Sequence, residues 1–193
     1  EVWNSLLLRS GAIRIDALED MLSTIKVLIE LSPAFRYRAG LVALSGGHST
    51  EMANVFSKAG LQVPALTPRS YEELKSFFNV VGGSYRNPME GGGMGNPQIF
   101  GRALSILVND ANIDLVAVEM PAGRSDRDPS FLDDRIRAIK ELKAKTAKPL
   151  MVVLTTTFPY SISVDERIPK RLAQEGITAC LGFEGAARAL KKM

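Results

Sequence analysis

The feature that most constrains the fold is an alternation along the whole chain between short apolar runs and longer segments with helical periodicity. The apolar runs cover residues 41–44, 114–120, 149–155 and 177–182. Runs that are apolar throughout are typical of strands buried on both faces of a sheet, and helices between them make the strands parallel. The alternation therefore predicts an α/β protein whose parallel sheet is covered by helices on both sides.

The segments between these runs predict a doubly wound sheet in a flavodoxin-like three-layer sandwich. Helices are predicted over residues 16–31, 49–58, 67–78, 96–109 and 131–145, in a segment that Ser163 and Glu166 could cap, and from about 185 onward. Asp16 is the candidate N-cap of the first of these helices. Residues 1–38 are predicted to form an N-terminal helical lead-in that packs on a domain of residues 39–193.

An abrupt change follows the first apolar run, where Ser45-Gly46-Gly47 separates a strand from a helical pattern. The first turn of a helix offers unpaired N–H groups and a positive dipole end, and glycines allow a sharp turn and close approach to the backbone. The candidate phosphate-binding site is therefore formed by Ser45, Gly46, Gly47, His48, Ser49 and Thr50. The stretch lacks the Lys of a P-loop and the spacing of a dinucleotide fingerprint. A purely steric turn explains the same residues and stays open.

Ligands in such folds bind beyond the carboxyl ends of the strands, so the loops there are candidates for ligand contact. A glycine-heavy loop over residues 81–95 is too long to be a simple connector. The candidate ligand loops are formed by Gly91, Gly92, Gly93, Pro121, Gly123 and Arg124. An exposed loop of mixed charge is the alternative for Arg124. Glu90 and Glu119 suggest a carboxylate pair, but nothing in the sequence places them close together.

His48 is the chain's single histidine and stands inside the candidate phosphate site. Three interpretations stay open: it donates a hydrogen bond to phosphate, it faces solvent without a role, or it is itself phosphorylated or acts as a general acid or base. No residue is assigned as catalytic with certainty, and His48 is the one candidate. The positive end of a helix disfavours the charged imidazolium, so we expect a neutral ring.

Composition narrows the remaining classes of protein. With 193 residues, 46% of them hydrophobic and 23% charged, the sequence suits one globular domain with a real core. The net charge of +3 and scattered basic residues argue against nucleic acid, and the basic stretch between Arg135 and Lys148 has the spacing of a solvated helix face, with a binding patch as the alternative. No apolar run could span a membrane, and no metal site is expected. Because Cys180 is the only cysteine, we expect it to pack inside a strand in a reducing, cytoplasmic setting.

Five short segments resemble, in order and spacing, motifs of the NDP-forming acyl-CoA synthetases, the relatives of succinyl-CoA ligase. They are RSGAIRIDALED at 9–20, SGG at 45–47, AGLQVP at 59–64, RNPME at 86–90 and VNDANID at 108–114. The resemblance spans nearly the whole chain. It implies the CoA-ligase domain of a multidomain enzyme that converts acyl-CoA, phosphate and a nucleoside diphosphate to acid, CoA and the triphosphate.

In that family a histidine on a mobile loop is phosphorylated and passes the phosphoryl group to the nucleotide. The resemblance implies that the corner at 45–50 stabilises this phosphohistidine through a helix N-terminus. The family's histidine motif, CoA-binding domain and ATP-grasp domain have no counterpart in these 193 residues. We therefore expect CoA, ATP or ADP, and Mg held by the ATP-grasp domain, to bind elsewhere in a parent enzyme that is an oligomer. This chain alone is expected to bind only phosphate or sulfate and to be inactive.

The alternative function belongs to a different class. A flavodoxin-like binding or docking domain without catalytic duty would show the same fold, and its glycine corner would no longer serve phosphoryl transfer.

Overall fold

The structure is a computed structural model that describes residues 2–15, 17–31, 36–122, 129–156 and 167–193. Its centre is one sheet of five parallel strands in the order β2-β1-β3-β4-β5. The strands are β1 (Ala39–Ala43), β2 (Met89–Glu90), β3 (Leu115–Pro121), β4 (Leu150–Thr155) and β5 (Ala179–Leu181). Every pairing within this sheet is parallel. The strand order and parallel pairing confirm the predicted flavodoxin-like, doubly wound fold.

Eight helices occur in the described part of the chain. They are α1 (Val2–Ser10), α2 (Leu18–Glu30), α3 (Gly46–Lys58), α4 (Pro68–Lys75), α5 (Pro97–Asn109), α6 (Pro129–Lys143), α7 (Arg167–Gln174) and α8 (Phe183–Lys191). Helices α2, α3 and α8 cover one face of the sheet, where Val27, Phe56 and Leu190 are buried. Helices α4 to α7 cover the other, with Leu74 and Phe100 buried. No described helix is long and apolar enough to cross a membrane.

Successive strand residues serve the two cores in turn because side chains alternate across a sheet. In β3, Leu115 and Ala117 belong to the core under α2, α3 and α8. Val116 and Val118 belong to the core on the opposite face. Cys180 in β5 is buried as expected, and burial raises the pKa of its thiol.

Several helix boundaries differ from those predicted, for reasons found in the caps. Helix α4 begins where Thr67 accepts a hydrogen bond from the Ser70 N–H, and it ends at Lys75 rather than at 78. Helix α5 begins at Pro97 after the Asn96 cap, as the Asn-Pro pair predicted. Ala17 takes the N-cap position of α2 without a side-chain hydrogen bond, while Asp16 lies outside the described residues. The proposed cap by Ser163 and Glu166 also lies outside them.

Three features of the chain depart from the sequence prediction. The glycine-heavy segment contains the edge strand β2, which was missed because Met89 and Glu90 do not form an apolar run. Pro121, assigned to a ligand loop, is instead the buried last residue of β3 and pairs with Thr155. Residues Gly123 and Arg124 of the same candidate loop lie outside the described residues.

The basic stretch on α6 is not one solvated face, so that prediction is wrong for Arg135. Its guanidinium lies 3.5 Å from the ring centre of Phe100 and 4.7 Å from that of Phe131, and it donates to the Met94 carbonyl. Sequence spacing missed this because an Arg stem packs like an apolar side chain when aromatic rings and a carbonyl receive its head. Arg137 on the same helix is exposed.

Candidate functional site

The corner between β1 and α3 is built by Ser45, which continues the extended backbone of the strand. Its side chain accepts a hydrogen bond from the His48 N–H at 3.4 Å, and its carbonyl accepts one from the Ser49 N–H at 2.8 Å. The helix therefore starts at Gly46, three residues before the predicted start at 49. Ser45 is an N-cap in the usual sense, because its oxygen satisfies one of the N–H groups that the helix leaves unpaired.

The two glycines are the first residues of α3 and not a sharp turn before it. Neither has a positive φ, so no backbone strain requires glycine here. A Cβ at Gly47 would meet nothing within 4 Å, whereas one at Gly46 would lie 3.3 Å from Glu90 Oε2. Both glycines are exposed, and the space beside Gly47 is open, so the N–H groups of the first turn can be approached from that side. That the six residues of the corner bind phosphate stays a prediction, with the Gly46 and Gly47 amides as its centre.

His48 is held by a buried carboxylate from the neighbouring strand. Its Nδ1 lies 2.5 Å from Glu119 Oε1, and the Glu119 side chain is 0% exposed. Glu119 Oε1 also accepts the Thr155 hydroxyl at 2.6 Å, and Oε2 accepts the Leu44 N–H at 2.8 Å. The carboxyl ends of β1, β3 and β4 thus converge on one carboxylate, which fixes the ring of His48.

This arrangement reduces the three interpretations of His48. The ring is 29% exposed and hydrogen-bonded, so it is not a solvent-facing bystander. A neutral imidazole has one donor and one acceptor nitrogen. When Nδ1–H donates to an ionised Glu119, Nε2 of the neutral ring holds a lone pair and cannot donate to phosphate. Nε2 donates only when the ring is an imidazolium, whose charge Glu119 balances.

Glu90 lies on the other side of β1. It is the register partner of Ala43, and its Oε2 is buried without a hydrogen-bond partner in the described part of the chain. Glu119 follows Val118, which is the register partner of Val42. Both glutamates that the sequence could not place together therefore flank the end of β1. The signal for Glu119 was present in the sequence, since an acid inside an apolar parallel strand needs a partner.

Two openings adjoin the corner. One is a groove of about 330 Å³, lined by His48, Glu51, Leu154, Thr155, Thr156, Leu181, Gly182, Phe183 and Glu184. The other is a cavity of about 100 Å³ lined by Leu44, Gly91, Glu119 and Arg135 among others. Thr155 and Thr156 thus line the groove. The Thr155 hydroxyl donates to Glu119, so it acts on the site through that carboxylate. The third hydroxyl of that run, Thr157, lies outside the described residues.

The glycines proposed as a ligand loop are tightly packed, and their contact with a ligand stays a prediction. A Cβ at Gly92 would lie 1.8 Å from Phe78, and one at Gly91 would lie 2.4 Å from the Gly82 carbonyl oxygen. Gly91, Gly92 and Gly93 all have positive φ. Of the three, Gly91 also lines the small cavity.

The sheet and its carboxyl-edge corner define a flavodoxin-like α/β domain with a candidate anion site. No family model matches the chain. It is 23% identical over 179 residues to the alpha subunit of an ADP-forming acetate–CoA ligase II of Pyrococcus furiosus, covering 92% of this chain and 37% of the relative. This similarity confirms the resemblance to NDP-forming acyl-CoA synthetases that the five motifs indicated.

Two solved structures share the fold over 99% of this chain. A Pyrococcus horikoshii protein, PH0766, has a TM-score of 0.77 at 22% identity. The acetyl-coenzyme A synthetase 1 of Ca. Korarchaeum cryptofilum, described as dinucleotide forming and solved with phosphate and ADP, has a TM-score of 0.78 at 19% identity. The chain covers 43% and 39% of these two proteins, so it spans less than half the length of its relatives.

Proposed function

We propose that the chain is the CoA-ligase domain of an NDP-forming acyl-CoA synthetase. The whole enzyme would convert acyl-CoA, phosphate and a nucleoside diphosphate to acid, CoA and the triphosphate through a phosphohistidine. The observation that carries the proposal is the start of α3 at the carboxyl edge of a parallel sheet, with Gly46 and Gly47 exposed and the space beside Gly47 open. A helix start in this position favours a phosphoryl group without needing a mobile counter-ion.

The domain's share of the reaction is to stabilise the phosphoryl group on the enzyme's loop histidine. The N–H groups of Gly46 and Gly47 would donate to its oxygens. Nucleotide, CoA and Mg would be bound by the CoA-binding and ATP-grasp domains of the same enzyme, within an oligomer. The chain would contribute polar contacts and a positive dipole end, and the proposed reaction includes no redox step.

One observation favours the alternative of a docking domain. Helices α1 and α2 expose large apolar side chains, including Trp3 at 63%, Leu22 at 64% and Ile29 at 78%. Exposed apolar surface of this kind is typical of contact with another protein or domain. A domain of a larger enzyme needs such a surface as well, so the decisive test concerns the glycine corner.

The test is Gly47→Ala in the parent enzyme, with Gly101→Ala as the matched control in the middle of α5. Both glycines are helical, and neither new Cβ would meet an atom closer than 3.9 Å. Alanine at either position should leave stability equal or raise it by up to about 1 kcal/mol, since alanine favours helices. A methyl group at Gly47 stands where the phosphoryl oxygens would approach. We therefore expect phosphoenzyme formation to fall by on the order of tenfold or more in Gly47→Ala alone.

A second measurement uses this chain by itself. Inorganic phosphate should shift the backbone amide NMR signals of Gly46 and Gly47 at lower concentrations than it shifts those of other helix starts. Normal turnover in Gly47→Ala, together with no phosphate-dependent shift at these amides, would refute the phosphoryl role and favour the docking domain. Equal loss of stability and turnover would show that the glycines serve the fold.

A further inference from the structure

The strongest unexplained arrangement in the molecule is the pair formed by His48 and Glu119. A fully buried carboxylate is held by three donors, the Leu44 N–H, the Thr155 hydroxyl and the His48 ring. The last of these is the only histidine in the chain. Stabilising an anion at a helix start does not need such a pair. A histidine whose orientation is fixed by a carboxylate is the arrangement that proteins use to present a reactive nitrogen.

We propose that His48 is itself a phosphoryl acceptor, reacting through Nε2, and that Glu119 is its positioning residue. The proposal rests on the proposed function to the extent that a phosphoryl donor must reach this corner. The proposed reaction of acyl-CoA with phosphate supplies a donor of one class, an acyl phosphate, which is the mixed anhydride of a carboxylic acid and phosphate.

Glu119 sets which nitrogen reacts. Nδ1 lies 2.5 Å from the Glu119 carboxylate. An ionised carboxylate only accepts, so the neutral ring that bonds to it has its proton on Nδ1 and its lone pair on Nε2, at the opposite edge of the ring. Within the described residues Nε2 has no hydrogen-bond partner. His48 lines the groove of about 330 Å³, and 29% of its side chain is exposed. The ring of Phe183, edge-on with its centre 6.0 Å away, packs beside it and limits its rotation.

The step is a simple displacement at phosphorus. The Nε2 lone pair forms the N–P bond while the bond between phosphorus and the acyl oxygen breaks, and the acyl group leaves as a carboxylate with that electron pair. The ring keeps its Nδ1 proton and becomes cationic, while the transferred phosphoryl group keeps two negative charges. Glu119 then faces a cationic ring, which it stabilises as a carboxylate stabilises an imidazolium in other oriented histidines.

The charges around the groove predict how salt changes the rate of phosphorylation. Two exposed carboxylates, Glu51 and Glu184, also line it and repel an incoming phosphate. The start of α8, at Gly182 and Phe183, lines the groove and presents a positive dipole end to it, and α3 contributes His48 from its first turn. Because both carboxylates are exposed, salt screens them. Glu184→Gln should therefore speed the reaction at low salt and have no effect at high salt.

The experiment treats this chain, without an affinity tag, with radiolabelled acetyl phosphate. Phosphohistidine is labile in acid and stable in base, whereas phosphorylated carboxylates are not stable in base. Because His48 is the only histidine, any label of the first kind is on it. We expect such label in the wild type, none in His48→Asn, and labelling slowed by at least about tenfold in Glu119→Gln. Glu141→Gln, an exposed position on α6, is the matched control and should label normally.

Nitrogen NMR of the imidazole distinguishes a positioning role of Glu119 from a purely structural one. The wild type should show the tautomer protonated at Nδ1, and Glu119→Gln should shift it toward the Nε2 tautomer in protein whose circular dichroism is unchanged. Thr155→Val provides a milder variant if Glu119→Gln does not fold, since it removes one of the three bonds to the carboxylate. It should slow labelling less than Glu119→Gln.

The outcomes are distinguishable. Acid-labile label that survives in His48→Asn, or its absence from wild-type chain whose Gly46 and Gly47 amides still respond to phosphate, overturns the acceptor role and leaves the proposed function standing. Absence of both label and amide response overturns the two together.

Discussion

At the scale of single residues, the two edges of the sheet contain buried acids with different duties. Glu119 at the carboxyl edge is paired with a partly exposed histidine beside a groove. Asp110, which precedes β3 at the amino edge, is buried and accepts the Thr67 N–H, the Thr67 hydroxyl and the Asn112 N–H at 2.7 to 2.8 Å. Its partners all belong to turns and caps, so Asp110 stabilises the fold.

The hydrogen bonds of Asp110 predict how the stability of the protein depends on pH. Burial would raise the pKa of its carboxyl, but hydrogen bonds from Ser70, Asn112 and Thr67 outweigh this, and the pKa lies below the ordinary value of 3.8. A carboxyl with a lowered pKa in the folded state stabilises the protein above that ordinary value, and this stability is lost as pH falls through the folded value. Asp110→Asn should therefore cost about 1–3 kcal/mol at pH 7, with a smaller difference from wild type near pH 3.

Urea unfolding at several pH values measures this effect. The control is Asp133→Asn, whose ion pair with Arg171 is exposed and should contribute less than about 1 kcal/mol. Equal costs for the two variants at pH 7 would contradict the role assigned to Asp110.

At the scale of elements, the glycine-heavy segment folds back on itself. Ser84 and Glu90 exchange two backbone hydrogen bonds of 2.8 Å, and this brings Gly83 against Gly91 and Gly92. Asn87 ties the segment to the sheet by accepting the Leu41 N–H and donating to the carbonyls of Ala39 and Pro64. The loop is thus an ordered border of the sheet.

The prediction at this scale concerns Gly92. A methyl group there would overlap the Phe78 ring, and its φ of +59° is unfavourable for other residues. Gly92→Ala should lower the free energy of unfolding by about 2 kcal/mol or more. Gly95→Ala, which meets nothing within 4 Å, should change it by less than about 0.5 kcal/mol. Thermal and urea unfolding measure the stability of the two variants. If Gly92→Ala is as stable as Gly95→Ala, the loop does not pack as described.

At the scale of the whole molecule, the N-terminal lead-in divides into two parts. Val27 of α2 and its C-cap Leu31 are buried in the core under α8, and Asp20 accepts two hydrogen bonds of 2.8 Å from Arg188. Helix α1 leaves Val2 and Trp3 exposed. Only α2 therefore belongs to the packed layers, and the boundary at residue 38 stays a prediction.

Truncation tests this division. Removing residues 1–15 should leave the melting temperature nearly unchanged, because α1 buries little of its surface. Removing residues 1–31 uncovers α8 and deletes two buried aliphatic side chains, which should cost about 3–6 kcal/mol. Urea unfolding of the three chains measures both effects. A chain lacking residues 1–31 that is as stable as the full chain would place the lead-in outside the core.

The sequence by itself determined the layers of this protein and the position of its corner. Parallel strands buried on both faces appear in the sequence as apolar runs, and helices appear as periodic apolar positions. Both patterns are local, so the sequence alone predicts them. The Ser-Gly-Gly corner is likewise local, since a strand, a cap and a helix start follow one another along the chain.

Only the tertiary structure decided what the corner contains. Glu119 is 71 residues from His48, and Thr155 is 36 residues from Glu119, so their meeting depends on strand order and register and not on sequence spacing. The same holds for Arg135, which reaches the Met94 carbonyl 41 residues away. Long-range partners decide whether a polar residue is solvated, buried or poised to react, and no local pattern encodes them.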